Sequence, residues 1–168
     1  MRTPKNLCLT LLATSFTATL GAADAPLKLE TRPALTMAIA QKMAMACIQH
    51  QRANNGQAVD IAIYNDGAKL IYFVSMDGTG TGTGTTAMAK GEAAARFRTS
   101  TAEMQRWVEG SPGVGHVPGL LGIRGGLPIR TASGKPLGGI GVSGAPSEVD
   151  EQCAQAALDA VKAELRDP

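Results

Sequence analysis

The chain has 168 residues and is close to neutral, with 16 Lys and Arg residues against 14 Asp and Glu residues. This balance lacks the strong positive charge that nucleic-acid-binding proteins carry, so we expect no nucleic-acid partner. The length suits a single domain, and with only 4% aromatic residues its core must be built from small and aliphatic side chains.

The N-terminal residues have the pattern of a secretory signal peptide. Two basic residues precede an uncharged stretch from Leu7 to Leu20, and the small-x-small sequence Ala23-Asp24-Ala25 follows it. We therefore predict a signal peptide at residues 1–25, a mature domain at residues 26–168, and a periplasmic or secreted protein. No later stretch approaches the roughly 18 apolar residues of a membrane span, so none is expected after signal removal.

The first predicted elements of the mature chain are a helix and a β-hairpin. Between Pro33 and Asn55, apolar residues recur at three- and four-residue spacings, which predicts a helix. Two stretches rich in Ile, Val, Tyr and Phe follow, at Val59–Tyr64 and Ala68–Val74. Because the Asn65-Asp66-Gly67 sequence between them tolerates the left-handed backbone of a tight turn, these stretches are predicted to pair as a hairpin.

The second half of the chain combines further helices with short strands. The predicted helices are Thr85–Phe97, Thr101–Val108 and a last one from Pro146 to about Leu165. The predicted strands are Leu120–Ile123, Leu127–Ile129 and Leu137–Val142. Neighbouring strands joined by short turns indicate an antiparallel sheet flanked by helices, which is an α+β domain.

A run of Gly and Thr residues, Gly78–Thr86, lies between the hairpin and the next helix. It is not a Walker loop, because Gly84 is followed by two Thr residues rather than by Lys and then Ser or Thr. It also lacks the third glycine of a dinucleotide-binding fingerprint. A helix N-terminus with free N–H groups and hydroxyls can hold a carboxylate or a phosphate. Two interpretations stay open: an anion site, or a mobile loop without a ligand.

Several short blocks, in order along the chain, resemble one protein family. The blocks are Ile61-Ala62-Ile63, Phe73-Val74, Met76-Asp77-Gly78, Ala89-Lys90, Gly125–Ile129, Gly138–Gly144 and Asp150-Glu151. Together they resemble the haem-degrading domain family that includes GlcG, HbpS and the C-terminal domain of PduO. The resemblance covers almost all of the mature chain. It implies an α+β fold with about five antiparallel strands flanked by helices, a tendency to form homo-oligomers, and binding of haem or a related tetrapyrrole.

Haem binding requires an apolar slot, cations or N–H groups for the propionates, and often an axial ligand. The candidate ligand-binding residues are Met76, Asp77, Gly78, Thr85, Thr86, Lys90 and Arg124. Lys90, Arg124 and Arg130 are the cations that could pair with carboxylates, and Lys90 is preferred because it belongs to a family-like block. The two arginines have a solvated surface charge as their alternative. His116 is the first candidate for a haem-iron ligand and His50 the second. Their alternatives are a solvated loop histidine and a packed helix histidine.

The sequence leaves catalysis open. It shows no Ser-His-Asp series, carboxylate pair or metal-ligand cluster, but haem oxidation draws on iron and O₂ and needs few protein groups. We predict an exported homo-oligomer that binds haem or a related tetrapyrrole as a small-molecule ligand and assists haem handling or degradation. Two alternatives remain: an enzyme or accessory protein that binds a small organic acid at the Gly/Thr-rich helix start, and an oligomeric scaffold without a ligand.

Two cysteines, Cys47 and Cys153, remain after the predicted signal peptide. Cys47 lies on the apolar stripe of the first predicted helix, and Cys153 lies on that of the last. Disulfides persist in the compartments to which exported proteins are sent. The family resemblance implies that these helices lie near each other. The pair is either a disulfide or two small buried thiols.

Overall fold

The structure, a computed structural model, describes residues 31–167. The predicted signal peptide at residues 1–25 lies outside this range. The elements are α1 (Met37–Ala53), β1 (Asp60–Asn65), β2 (Leu70–Ser75), α2 (Thr83–Phe97), α3 (Thr101–Gly110), a 3₁₀ turn (Pro112–His116), β3 (Gly126–Arg130), β4 (Pro136–Ser143) and α4 (Ser147–Ala160). Among residues 31–167, no helix is both long enough and apolar enough to cross a membrane.

The strands form one antiparallel sheet in the order β2-β1-β4-β3. β1 is a central strand, and its Ile61 lies opposite Val74 of β2 on one side and Val142 of β4 on the other. The predicted hairpin and the α+β class are therefore confirmed. The side chain of Asn65 shapes the hairpin turn, because its Oδ1 atom accepts hydrogen bonds from the backbone N–H groups of Gly67 at 3.1 Å and Lys69 at 2.9 Å.

The predicted strand at Leu120–Ile123 does not form. This segment is irregular and partly exposed, with 44% of Ile123 accessible to solvent. It lies close to α3, since a Cβ atom on Gly122 would be 2.9 Å from the Cα atom of Gln105. Because the segment packs against α3, the sheet that residues 31–167 form has four strands where about five were expected.

Helices cover both faces of the sheet. α1 and α4 pack on one face and form the main core with alternate strand residues, including Ile61, Ile63, Ile129, Ile140 and Val142. α2 packs on the other face, mainly against β4 and β1. The alternation of side chains along the strands therefore separates a large aliphatic core from a second, smaller one.

The contact between α2 and β4 is made largely through the backbone. A Cβ atom on Gly139 would lie 2.5 Å from the backbone nitrogen of Ala95, and one on Gly91 would lie 2.9 Å from the backbone nitrogen of Gly141. Such distances leave no room for a side chain. The scarcity of aromatic residues thus fits an interface at which helix and sheet approach closely.

Two helix ends differ by more than two residues from the predicted ones. α1 begins at Met37 rather than near Pro33, because Thr36 caps it by accepting a hydrogen bond from the N–H group of Ile39 at 3.3 Å. α4 ends at Ala160, before the expected end near Leu165. Residues 161–165 continue as turns, which we call the α4 tail together with Arg166.

Candidate functional site

The Gly/Thr run holds a carboxylate of the protein itself. α2 begins at Thr83, and the carboxylate of Asp60, only 2% exposed at the start of β1, lies against this helix start. Thr79 Oγ1 donates a hydrogen bond to Asp60 Oδ1 at 3.3 Å, and Thr83 Oγ1 donates one to Asp60 Oδ2. Ser75 Oγ lies 2.9 Å from Thr79 Oγ1 and extends this chain of hydroxyls. The helix N-terminus thus faces an internal anion.

Sequence reasoning missed Asp60. The available signal was a single acidic residue at the start of an otherwise apolar buried strand, where an ionised carboxylate needs hydrogen-bond donors. Of the Thr residues predicted to bind a ligand, Thr85 is exposed, and the hydroxyl of Thr86 donates to the carbonyl oxygen of Gly82 at 3.0 Å.

We expect Thr83→Val to destabilise the protein, because it keeps the side-chain shape but removes a donor from the buried Asp60 carboxylate. The expected loss in the free energy of unfolding is about 1–3 kcal/mol. Urea denaturation of the purified variant measures it. Thr85→Val is the matched control, since the same change two residues further along α2 removes an exposed hydroxyl. Equal losses in both variants would refute the role given to the Asp60 contact.

Lys90 is buried and forms an ion pair with an acidic residue of the same chain. Its Nζ atom donates to Asp150 Oδ2 at 2.7 Å and to the carbonyl oxygen of Val142 at 2.9 Å. The second oxygen of Asp150 accepts from the N–H group of Ala145 at 3.0 Å. Burial raises the pKa of the Asp150 carboxyl, and the hydrogen bond and charge of Lys90 offset part of that rise. The ammonium predicted to meet a ligand carboxylate therefore already has a carboxylate partner.

Arg124 lies beside the first turns of α4 and contacts two of its acidic residues. Its Nε and Nη2 atoms donate to the two carboxylate oxygens of Glu151, both at 3.1 Å, and its Nη1 atom is 3.8 Å from Glu148. This fork of hydrogen bonds holds the guanidinium against the first turns of α4. Arg124 thus has acidic partners, whereas the prediction placed it on a ligand.

The remaining predicted residues lie in separate places. Met76 packs against the main core, while Asp77 and Gly78 form the exposed turn that follows β2. His50 is half-buried near the end of α1, with Nδ1 at 3.5 Å from Asn54 Nδ2, and His116 is exposed in the 3₁₀ turn. Within residues 31–167, no three His, Cys, Asp or Glu side chains are placed to hold a metal ion.

Cys47 and Cys153 form a disulfide that joins α1 to α4. Their Cα atoms are 4.7 Å apart, and both residues are fully buried. The sequence left a disulfide and two free thiols as alternatives; the structure contains the first.

A groove of about 820 Å³ runs along the edge strand β3 beside the end of α4 and the α4 tail. Its volume lies in the range of small-molecule sites, roughly 300–1,000 Å³. Two further cavities are smaller, at about 230 and 210 Å³. Pro128, Leu158 and Leu165 give the groove apolar surface. Of the three cations considered as partners of a ligand carboxylate, Arg130 lines the groove, whereas Lys90 and Arg124 do not.

The charged side chains of the groove are predominantly basic. Lys42, Arg130, Lys162 and Arg166 line it, against the acidic residues Asp159 and Glu164. Lys42 pairs with Glu164, whereas the guanidinium of Arg130 donates to the carbonyl oxygens of Arg98 and, at 3.2 Å, Gly134.

Among the described residues, three of these cations have no acidic partner. Within the described range, Lys162 and Arg166 are in no ion pair, and the carbonyls bound by Arg130 are neutral. The groove therefore combines apolar surface with positive charge that an anionic ligand can neutralise. Sequence reasoning missed it because β3 and the α4 tail meet only in the folded chain. The one local signal was the four-residue spacing of Lys162 and Arg166.

Comparison with known proteins identifies the family. Residues 35–159 match the model of the family described as haem degrading protein HbpS-like. A double mutant of HbpS from Streptomyces reticuli is similar, with 30% identity, a TM-score of 0.73, and coverage of 83% of this chain and 98% of that one. Protein ORFY from Klebsiella pneumoniae has 25% identity, a TM-score of 0.75, and coverage of 83% and 99%.

The PduOC–haem complex shares the fold, with 23% identity, a TM-score of 0.68, and coverage of 76% of this chain and 95% of that one. No curated protein sequence matched the chain. Because the family model spans most of the described residues, from the segment before α1 almost to the end of α4, the chain belongs to the HbpS-like haem-degrading family.

Proposed function

We propose that this chain is an exported protein that binds haem or a related tetrapyrrole in the groove between β3 and the α4 tail. The observation that carries the proposal is the combination of apolar surface with the unpaired cations Lys162 and Arg166. A tetrapyrrole is a large apolar ring system with carboxylate side chains. Such a ligand fits both properties of the groove, since its ring covers the apolar surface and its carboxylates neutralise the cations.

Family membership supports the same ligand class. The family is described as haem degrading, and a protein with the same fold has been solved as a haem complex. The proposed role is therefore haem handling or assistance to haem breakdown. We assign no catalytic residue, because the groove contributes binding groups and any oxidation would draw on the haem itself.

Export is supported by two independent features. The N-terminal residues have the charge and apolar pattern of a signal peptide, and Cys47 and Cys153 form a disulfide. Disulfides persist mainly in oxidising compartments such as the periplasm or the extracellular space. We therefore propose a periplasmic or secreted protein.

We also propose that the protein is a homo-oligomer. Large apolar side chains are exposed on α3 and the segment after it, including Trp107 at 38% and Val117 at 42%. Exposed apolar surface of this kind is a common basis for self-association. The alternative of a small organic acid at the Gly/Thr-rich helix start is not favoured, because Asp60 already faces that helix start.

Haemin titration tests the binding proposal. We expect saturable binding near one ligand per chain, followed by the Soret band and by quenching of Trp107 fluorescence. Replacing both Lys162 and Arg166 with Glu should weaken binding by about tenfold or more, because two charge-assisted contacts become repulsive.

The matched control is the double variant Arg52→Glu, Lys69→Glu, which changes the net charge by the same amount at exposed residues outside the groove lining. It should retain wild-type affinity. Equal affinities of the two double variants would show that the ligand binds elsewhere than in the groove. A titration without saturation would refute tetrapyrrole binding.

A further inference from the structure

The groove lacks the side chains that usually ligate haem iron. Axial ligands in haem proteins come from His, Cys, Met or Tyr side chains. The groove-lining residues in the described part of the chain include none of these types. His50 and His116 lie outside the lining, and the only cysteines among residues 31–167 form the buried disulfide.

The cations are arranged to meet more than one carboxylate. Lys162 and Arg166 are four residues apart in the α4 tail, and both line the groove. Arg130 extends from β3, so positive charge comes from two separate elements of the groove.

The apolar side chains of the groove do not distinguish a metal-containing ring from a metal-free one. Pro128 lies in the edge strand β3, and Leu158 and Leu165 come from α4 and its tail. Such side chains pack against a ring system whether or not it holds a metal, because the hydrophobic effect depends on the apolar area removed from water.

From these observations, and resting on the proposed function, we propose that the groove recognises the carboxylates and apolar surface of its ligand and does not ligate a metal. The ligand class is then the carboxylate-bearing tetrapyrroles as a whole. Metal-free porphyrins and open-chain tetrapyrroles belong to it together with haem. The protein would bind a tetrapyrrole before and after loss of its iron.

The test compares haemin, metal-free protoporphyrin IX, biliverdin and protoporphyrin IX dimethyl ester by titration of the wild-type protein. The three free acids are expected to bind with dissociation constants within about fivefold of one another, since charge and apolar area are shared. The dimethyl ester, which keeps the ring but loses both charges, should bind about tenfold or more weakly. The Lys162→Glu, Arg166→Glu variant should lose affinity for all three acids.

Variants at the histidines provide a second measurement. The Soret spectrum of the haemin complex should be the same for the wild type, His50→Ala and His116→Ala. A change in either variant would show ligation of the iron and overturn the inference. So would protoporphyrin IX binding more than tenfold weaker than haemin, or an ester that binds as well as the acid. If none of the four compounds binds, the proposed function itself fails.

Discussion

A variant with both Cys47 and Cys153 replaced by Ser is expected to lose up to about 4–5 kcal/mol of unfolding free energy. The disulfide joins residues separated by 106 positions, so it closes a loop that contains most of the described chain. Such a crosslink restricts the unfolded chain, and the restriction grows with loop length. The loss should therefore appear as a large decrease in the urea midpoint.

The wild-type protein supplies its own control. Reduction with dithiothreitol should lower the midpoint of the wild type to near that of the double variant, and it should leave the variant unchanged. A thiol count on denatured, non-reduced protein from residue 26 onward should give no free thiol. Two free thiols per chain would contradict the disulfide.

Lys90→Met is expected to cost about 3–5 kcal/mol of stability near neutral pH. The side chain of Lys90 is nearly fully buried, and its ammonium is the partner of an equally buried Asp150 carboxylate. Removing the ammonium leaves that carboxylate charged in the core, where the Ala145 N–H group is its one remaining donor among the described residues. Because methionine has a volume similar to that of lysine, the loss of stability is caused by the unpaired charge and not by a cavity.

The matched control is Arg124→Met, because Arg124 also pairs with an acidic residue of α4 but at a partly exposed position. Its loss should be much smaller, since solvent screens exposed ion pairs. Adding Asp150→Asn to Lys90→Met should restore part of the stability, because the unpaired charge is then absent. Equal losses for Lys90→Met and Arg124→Met would contradict the importance given to the buried pair.

The effect of Lys90→Met should depend on pH. In the folded wild type, burial raises the pKa of Asp150 above its ordinary value of 3.8. A raised carboxyl pKa contributes stability that is complete below the ordinary value and is lost as the pH rises through the folded-state value. Without Lys90 this pKa rises further, so the difference in stability between variant and wild type should shrink from about pH 7 towards about pH 4. Urea denaturation at several pH values measures this.

The parts of the fold that could be predicted depend on neighbours in sequence. The hairpin followed from two β-rich stretches around Asn65-Asp66-Gly67, and the helices followed mainly from the spacing of their apolar residues. The segment Leu120–Ile123 has strand-like composition but pairs with none of the described strands. Local composition cannot reveal the absence of a pairing partner, so this prediction was wrong.

The candidate site was less predictable because its contacts are distant in sequence. Lys90 was read as a free cation, and its partner Asp150 lies 60 residues further along the chain. Asp60 is likewise distant in sequence from the Thr residues that contact it, so the contact forms only in the folded chain. The groove combines Arg130 of β3 with the α4 tail, and neither segment carries a recognisable motif.

The backbone contact between α2 and β4 limits what family resemblance can tell about chemistry. The short distance between α2 and β4 requires glycine at positions 91, 139 and 141, because a Cβ atom there would clash with the facing backbone. A larger residue would push the helix away from the sheet but would not contact the proposed ligand groove. The block Gly138–Gly144 is also among the sequences by which the chain resembles its family. Two proteins can therefore share this glycine signature because their helix packs on their sheet in the same way, while their side chains at the β3 edge and the α4 tail differ and bind different molecules.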